Sequence, residues 1–316
     1  MRLPRPFYQL PVVFDMVRLQ TEVAGLPDAA WSAHPDGLTG NSAARLITVG
    51  GEETDSHHGQ MLPTRWLTAM PYMRQVLAGF GVVWSRSRLM RLAPGSGVPL
   101  HADINHHWHK RVRLHIPVFT CPQVRFHCDG EDVHMAGGEA WIFDKWRPHQ
   151  VENPSSIARI HLVADTTGTG AFWHFACGQA PSRSQWPMVP WRQRANAQPL
   201  TERDQRQPVM SAAEVELLVD DLRAELAMAN ESADTNTRLV QFDGMLESFV
   251  QDWRQLCALH GTDGQSRTEF MRLADVLRQQ APNLAGGIVM RTNCASAMLV
   301  LEKRVLDHLI KIDPGL

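Results

Sequence analysis

Strict alternation of apolar and polar residues marks the middle of the chain. Every second position from 112 to 118 is apolar, with Arg113 and His115 between them, and the run 157–164 repeats the pattern around Arg159 and His161. A period of two with many Val, Ile and Phe residues is typical of β-strands. Turn signals separate these runs at short intervals. We therefore expect a sandwich or barrel of antiparallel strands.

The pattern changes on both sides of this region. In the N-terminal part a helix is expected over 63–77. Helical spacing returns near the C-terminus, where Ser211 and Glu214 form a capping box and a last helix is expected over 297–310. Four segments are expected: an α/β lead-in at 1–87, a β core at 88–175, a proline-rich linker at 176–208 and a helical domain at 209–316.

Composition narrows the range of partners and compartments. The 316 residues carry a net charge of −2, so nucleic acid is not an expected partner. Five cysteines without a C-x-x-C pair fit a reducing, cytoplasmic compartment. No apolar run approaches the roughly 18 residues of a membrane span, and Pro4, Pro6 and Pro11 interrupt the N-terminus. Neither secretion nor membrane insertion is therefore expected.

The triplet His101-Ala102-Asp103 is the strongest candidate metal motif. Residues two apart in an extended chain point to the same face, so His101 and Asp103 can share one ion. A third ligand must come from another strand, and His149, which closes the run 141–149, is well placed. Two imidazoles and one carboxylate leave open positions on an Fe(II) ion for a co-substrate and oxygen. The three residues together predict an iron site.

His-x-Asp alone is a weak signal, because the chain contains it three times. His34-Pro35-Asp36 lies in a stretch with loop composition. His127-Cys128-Asp129 continues into Gly130 and is typical of a hairpin turn. Only the triplet at 101–103 has the full context of neighbouring strands and a distant histidine.

Six pieces of the core, in a fixed order, together form a specific motif. They are LMRLAPG at 89–95, HAD at 101–103, RVRLHIP at 111–117, WIFD at 141–144, His149 and Arg159. With these pieces the span 88–165 resembles the aspartyl/asparaginyl β-hydroxylase branch of the Fe(II)/2-oxoglutarate dioxygenases, close to the bacterial cis-proline hydroxylases. The animal aspartyl hydroxylases lack the carboxylate ligand, whereas Asp103 is present here. This difference favours the proline hydroxylase group.

The resemblance implies a fold, two cofactors and a set of site residues. The fold is mainly β, with a double-stranded β-helix (jelly-roll) core, flanking helices and a C-terminal helical domain. The cofactors are Fe(II), bound by the triad, and 2-oxoglutarate. Arg159 is implied to pair with the far carboxylate of 2-oxoglutarate, and Arg113 and His115 to contact the co-substrate.

The sequence itself supports the role of Arg159. A buried arginine needs a carboxylate partner, and a dicarboxylic co-substrate supplies one that its planar guanidinium can bind in bidentate fashion. A structural ion pair with Glu139 or Asp165 is the alternative.

The expected reaction is hydroxylation of an unactivated C–H bond in a free amino acid or a small derivative. It uses O2 and releases succinate and CO2. The alternatives are hydroxylation of an Asp or Asn side chain in a peptide or protein, a cupin-like metalloenzyme without 2-oxoglutarate, and a non-catalytic metal-binding barrel that acts as a sensor or interaction module. For the C-terminal helices, closing the site, forming a homodimer and binding a partner all stay open.

The remaining histidines are interpreted as structural or solvated. His57 and His58, in the loop 51–60, are expected to be solvated. The stretch HHWH at 106–109 is expected to be a loop between strands, which either overhangs the site and touches the substrate or is a polar loop anchored by Trp108. His161 is interpreted as a core histidine.

Overall fold

The computed structural model describes residues 1–34, 37–178, 182–193, 197–204 and 207–311. The chain divides into two compact units. The core unit consists of Met1–His101 and Lys110–Asp204, and the helical unit consists of Ala102–His109 and Gln205–Leu316.

Strands predominate between Phe7 and Thr166, with short helices among them, whereas helices dominate the last third. The strands are β1 (Phe7–Phe14), β2 (Trp31–Ala33), β3 (Asn41–Val49), β4 (Met61–Pro63), β5 (Val83–Leu92), β6 (Ser96–His101), β7 (Val112–Phe119), β8 (Arg125–Cys128), β9 (Glu131–Val133), β10 (Glu139–Phe143), β11 (His149–Asn153), β12 (Arg159–Thr166), β13 (Met188–Val189), β14 (Leu200–Thr201), β15 (Leu226–Met228) and β16 (Ile288–Met290). The helices are α1 (Met16–Ala24), α2 (Arg65–Thr68), α3 (Pro71–Gly79), α4 (His106–His109), α5 (Gly170–Cys177), α6 (Ala212–Arg223), α7 (Ala233–His260), α8 (Arg267–Ala285) and α9 (Ala297–Val300).

Two sheets form the core unit. The larger has the order β13-β1-β10-β7-β12-β5-β3-β2, with β14 also paired to β5 and β4 to β3, and the smaller has the order β6-β11-β8-β9. Their pairings are antiparallel except those of β13 with β1 and β14 with β5. This arrangement of two sheets with flanking helices confirms the predicted mainly β, jelly-roll-like core.

The two faces of the larger sheet have different partners. Leu114 and Leu162 belong to an apolar cluster that also contains residues of α1, α3 and α5. On the other face, Phe143 packs with Phe126 and Val151 of the smaller sheet. The alternation in the sequence therefore separates an outer face from an interior face between the sheets. Arg113, His115, Arg159 and His161 occupy the interior positions of their strands.

The segments on either side of the predicted core contribute to the larger sheet. Strands β1 and β3, from the lead-in, pair with β10 and β5. The proline-rich segment adds β13 and β14. The expected boundary at residue 88 falls inside β5, so it does not separate two compact units.

The single helix predicted over 63–77 is wrong, because two helices occupy this stretch. Helix α3 starts at Pro71, and Met70 before it has φ −115° and ψ 81°, outside the helical region. A proline lacks the N–H that a continuing helix requires and disfavours helical backbone in the preceding residue. Pro71 is therefore the first residue of a helix rather than an interior one.

The helical unit is built on α6, α7 and α8, together with the hairpin of β15 and β16. Ser211 caps α6 by accepting a hydrogen bond from the Glu214 backbone amide at 3.3 Å, which is the N-cap half of the predicted capping box. The helix predicted over 297–310 is wrong as one regular helix. It consists of α9, a π-helical turn (Leu301–Val305) and a 3-10 turn (Leu306–His308). Across the described residues no helix has the length and apolar character needed to cross a membrane.

Candidate metal centre

His101 and His149 are direct neighbours across two strands of the smaller sheet. His101 is the last residue of β6, His149 is the first residue of β11, and the antiparallel register pairs the two. The centroids of their rings lie 4.2 Å apart. Strand pairing therefore brings together two histidines that lie far apart along the sequence.

Asp103 completes a group of three metal-ligand side chains. One ligand atom from each of His101, Asp103 and His149 lies within 4.8 Å of the others. No other group of three or more His, Cys, Asp or Glu residues in the described part of the chain has this geometry. The structure thus brings together the three residues that the sequence singled out.

Backbone contacts orient both imidazoles towards a metal. Nδ1 of His101 lies 2.8 Å from the carbonyl oxygen of Pro99, and Nδ1 of His149 lies 2.9 Å from that of Arg147. A carbonyl oxygen only accepts, so each Nδ1 carries the proton and each Nε2 keeps its lone pair for a metal. Two nitrogen donors and one carboxylate are a donor set that fits Fe(II).

The other His-x-Asp triplets do not form such a group. His127 lies in β8, and Asp129 has φ 48° in the turn to β9, where its carboxylate pairs with Arg147. This agrees with the predicted hairpin turn. In the triplet at 34–36, Pro35 and Asp36 lie outside the described residues.

Arg159 is a buried cation that has no carboxylate partner among the described residues. It is 4% exposed, its Nη2 lies 2.8 Å from Nδ1 of His161, and its Nε has no hydrogen-bond partner there. Burial lowers the pKa of its guanidinium to about 9. Glu139 instead accepts hydrogen bonds from a backbone amide and an indole, and Asp165 pairs with Arg113. The alternative ion pair of Arg159 is therefore not formed.

Two buried histidines border Arg159. Neither ring nitrogen of His115, nor Nε2 of His161, has a hydrogen-bond partner among the described residues. Burial, reinforced by the positive charge of Arg159, holds the pKa of both imidazoles well below its ordinary value. The ring of His115 packs 5.3 Å from that of Phe143, which itself lies 4.9 Å from the ring of His149. Neutral, incompletely bonded imidazoles thus lie near both the metal ligands and Arg159.

A group of cations occupies the interior face of β3, β5 and β7. Cross-strand register places Arg45 opposite Arg88 and Arg113 opposite Asp165. We define the cation cluster as Arg45, Arg86, Arg88, Arg113 and Lys145, together with the carboxylates of Asp55 and Asp165 that contact them.

Electrostatic repulsion persists inside this cluster despite the two carboxylates. Burial and then the charge of Arg88 lower the pKa of Arg86 to about 9. Burial and then the charge of Arg113 lower the pKa of Arg88 to about 10. Arg113 donates from Nε to Asp165 at 3.0 Å. An additional anion at this place would relieve the repulsion.

Sequence reasoning missed Arg86, Arg88 and Lys145 of this cluster. The alternation Ser85-Arg86-Ser87-Arg88 was a signal, because it places both arginines on one face of β5. His57 was expected to be solvated, and this expectation is wrong. Its Nε2 lies 3.5 Å from Nη1 of Arg86, and burial, together with that charge, lowers the pKa of His57 to about 3.

Comparison with known proteins agrees with the motif. Residues 48–168 match the family model described as Aspartyl/Asparaginyl beta-hydroxylase. An L-proline cis-4-hydroxylase of Rhizobium meliloti (strain 1021) is 27% identical over 166 residues, which cover 50% of this chain and 59% of that protein. The chain thus spans less than two thirds of the length of this curated relative. The resemblance inferred from the six sequence pieces is confirmed for the segment 48–168.

Solved structures with partial similarity include an oxidoreductase and a hydroxylase. One is an oxidoreductase of the 2OG-Fe(II) oxygenase family from Burkholderia pseudomallei, with 15% identity, a TM-score of 0.36, and coverage of 52% of this chain and 82% of that chain. Another is a Pseudomonas putida prolyl-4-hydroxylase, with 16% identity, a TM-score of 0.35, and coverage of 53% of this chain and 95% of that chain.

Proposed function

We propose that this chain is an Fe(II)- and 2-oxoglutarate-dependent hydroxylase of a small amino acid. The proposal is carried by the presence of two features in the described residues. One is the triad of His101, Asp103 and His149, and the other is Arg159, a desolvated cation without a protein carboxylate as partner. The family match over residues 48–168 supports the same conclusion.

The side chains divide into two tasks in this proposal. His101 and His149 bind Fe(II) through Nε2, and Asp103 adds an anionic ligand that offsets part of the metal charge. Arg159 pairs with the far carboxylate of 2-oxoglutarate, and His115 offers its ring nitrogens as neutral hydrogen-bond partners. When bound, Fe(II), 2-oxoglutarate and O2 supply the oxidation, in which one oxygen atom enters the C–H bond and the other enters succinate as CO2 leaves.

Arg159 argues against the two rival functions. A sensor, or a cupin-like enzyme without 2-oxoglutarate, has no need for a buried cation at this place. Keeping a guanidinium desolvated and without a counter-charge costs free energy. A bound ligand of opposite charge would offset that cost. A dicarboxylic co-substrate is a ligand of matching charge and geometry.

The cation cluster supports a carboxylate-bearing substrate. It lies on the interior face, and the register places Arg88 and His115 each directly opposite Val163 of β12. Burial first, and then neighbouring arginine charges, lower the pKa values of Arg86 and Arg88, so both cations are desolvated there. The α-carboxylate of a free amino acid is an anion that fits these cations, which is why we favour a free amino acid over a peptide side chain.

Compartment and assembly complete the proposal. All five cysteines lack a disulfide partner, which supports a reducing compartment such as the cytoplasm. A homodimer through the C-terminal helices stays a prediction. We expect neither a nucleic acid nor a membrane as a partner.

A screen for succinate release tests this function. Apo protein is loaded with Fe(II) under anaerobic conditions, 2-oxoglutarate and O2 are added, and free amino acids are compared with the same residues in blocked peptides. We expect Fe(II)-dependent succinate release that one class of free amino acid stimulates. Stimulation by peptides alone would move the function to the alternative, hydroxylation of a peptide side chain. Absence of Fe(II)-dependent succinate release with every compound would refute the proposal.

A further inference from the structure

The short segment that carries Asp103 belongs to the helical unit rather than to the core unit. Residues Ala102–His109 form a compact body with Gln205–Leu316. The stretch 106–109, expected to be a loop, is the one-turn helix α4, in which His107 and Trp108 are 5% and 6% exposed. Asp103 lies three residues before α4. Whatever holds this segment therefore limits the positions that the Asp103 carboxylate can adopt.

Three contacts fasten α4 inside the helical unit. Nδ1 of His106 lies 3.1 Å from the carbonyl oxygen of Arg304, so this imidazole donates a hydrogen bond to it. The ring of His106 stacks on that of His308, with 4.7 Å between centroids and 26° between planes. Nδ1 of His109 lies 3.7 Å from a carboxylate oxygen of Asp221. Both ends of the short helix are thus attached.

Two of the contacts on α4 lead to an ion pair whose arginine is buried. Nη1 of Arg304 donates to Asp221 at 2.8 Å, and the Arg304 side chain is 3% exposed. Arg304 lies in the π-helical turn Leu301–Val305, an irregularity that is frequent at functional sites. Arg304 and Asp221 come from distant parts of the chain, so their ion pair joins the π-helical turn to α6. The pair also holds together the residues that contact the two ends of α4.

We propose that the helical unit serves as the support of the Asp103 ligand, with Asp221, Arg304 and His106 as positioning residues for the metal centre. The proposal rests on the proposed function, because it takes Asp103 to be a metal ligand. Residues that orient a ligand from outside the coordination sphere typically change metal affinity by about 10- to 100-fold when they are replaced. These residues would then determine how tightly the metal centre retains its iron.

Asp221→Asn tests this proposal, because the amide keeps the size of the side chain and removes its charge. We expect the Fe(II) affinity of the apo protein, measured by anaerobic titration with Fe(II) alone, to fall about tenfold or more. At saturating Fe(II), the affinity for 2-oxoglutarate should stay unchanged, because Arg159 is untouched. A general loss of folding would instead weaken both ligands, so this difference separates positioning from instability.

Asp243→Asn is the matched control. Asp243 pairs with Arg223 at 2.7 Å within the same unit and makes no polar contact with α4 in the described part of the chain. Its variant should bind Fe(II) like the parent protein. His106→Phe is the second test variant, because it removes the hydrogen bond to Arg304 but leaves the buried ion pair in place. If Asp221→Asn does not fold, His106→Phe decides the question.

His149→Ala separates failure of this inference from failure of the proposed function. Parent-like Fe(II) affinity in a folded His149→Ala variant would refute the metal centre itself. Loss of Fe(II) in His149→Ala, combined with parent-like affinity in folded Asp221→Asn and His106→Phe, would refute only the supporting role of the helical unit.

Discussion

Replacement of Arg159 by leucine should weaken the binding of 2-oxoglutarate far more than the binding of iron. Arg159 lies on the interior face of β12, is 4% exposed and has His161 as its hydrogen-bond partner among the described residues. Leucine fills a similar apolar volume without the charge. The far carboxylate of 2-oxoglutarate would then enter a dry site without a counter-charge.

The expected loss of affinity follows from the burial of Arg159. Removing one partner of a buried charged pair typically costs about 3–5 kcal/mol, which corresponds to roughly two to three decades or more in affinity. The apo protein should not lose comparable stability. Lowering the Arg159 pKa from 12.5 to about 9 corresponds to about 5 kcal/mol spent on holding this charge, and the leucine variant avoids that cost.

The assay is an anaerobic titration of the Fe(II)-loaded protein with 2-oxoglutarate, recorded beside a thermal melt of the apo protein. Arg91→Leu is the matched control, because Arg91 lies opposite Ile160 in the neighbouring strand and bonds to Ser42 rather than to the interior residues. It should leave the titration unchanged. An unchanged titration in Arg159→Leu, together with a lower melting temperature, would refute the assignment and leave Arg159 as a structural residue.

Three further predictions concern the metal ligands and the buried histidines. His101→Ala or His149→Ala should abolish Fe(II) binding and turnover while the fold persists; metal analysis showing full occupancy in both variants would contradict the triad. Asp103→Gly should lose hydroxylation but keep weak Fe(II) and 2-oxoglutarate binding, and parent-like hydroxylation would show that Asp103 is not a ligand. Because the pKa of His161 is well below 6.5 in the fold, the unfolded chain binds the extra proton, so apo stability should fall as pH drops below about 6.5. His161→Phe should reduce this slope by about 1.4 kcal/mol per pH unit in urea unfolding between pH 6 and 5, and an unchanged slope would contradict the neutral buried imidazole.

The strand alternation predicted the core because it reports directly on burial. Arg113 and His115 on one face of β7, with apolar residues on the other, indicated a strand with an apolar outer face and a polar interior. Arg159 and His161 did the same for β12. Alternation is local, so these assignments required no knowledge of which strands pair.

Pairing itself could not be predicted from the same pattern. The direct opposition of His101 and His149 depends on the register of β6 with β11, which turns and the sheet interior determine together. The contributions of β1 and β3 to the larger sheet were missed for the same reason, since their partners lie far along the chain.

The chemical environment of the site was the least predictable part. His57 lies in a loop of polar composition, so composition favoured solvent exposure, yet the fold places it against Arg86. The stretch 106–109 has no apolar period, and its helical turn is stabilised by contacts with residues about 200 positions later. Such long-range contacts leave no local signal.

The most direct test of the central claim is to measure oxygen insertion and succinate together. Fe(II)-loaded protein is mixed with 2-oxoglutarate, O2 and a pool of free amino acids, and the products are analysed by mass spectrometry, with His149→Ala as the background. We expect one amino acid to gain the mass of one oxygen atom, in a one-to-one ratio with succinate above that background. If the parent protein binds Fe(II) but neither product exceeds the His149→Ala background, the chain is not a 2-oxoglutarate-dependent hydroxylase of free amino acids.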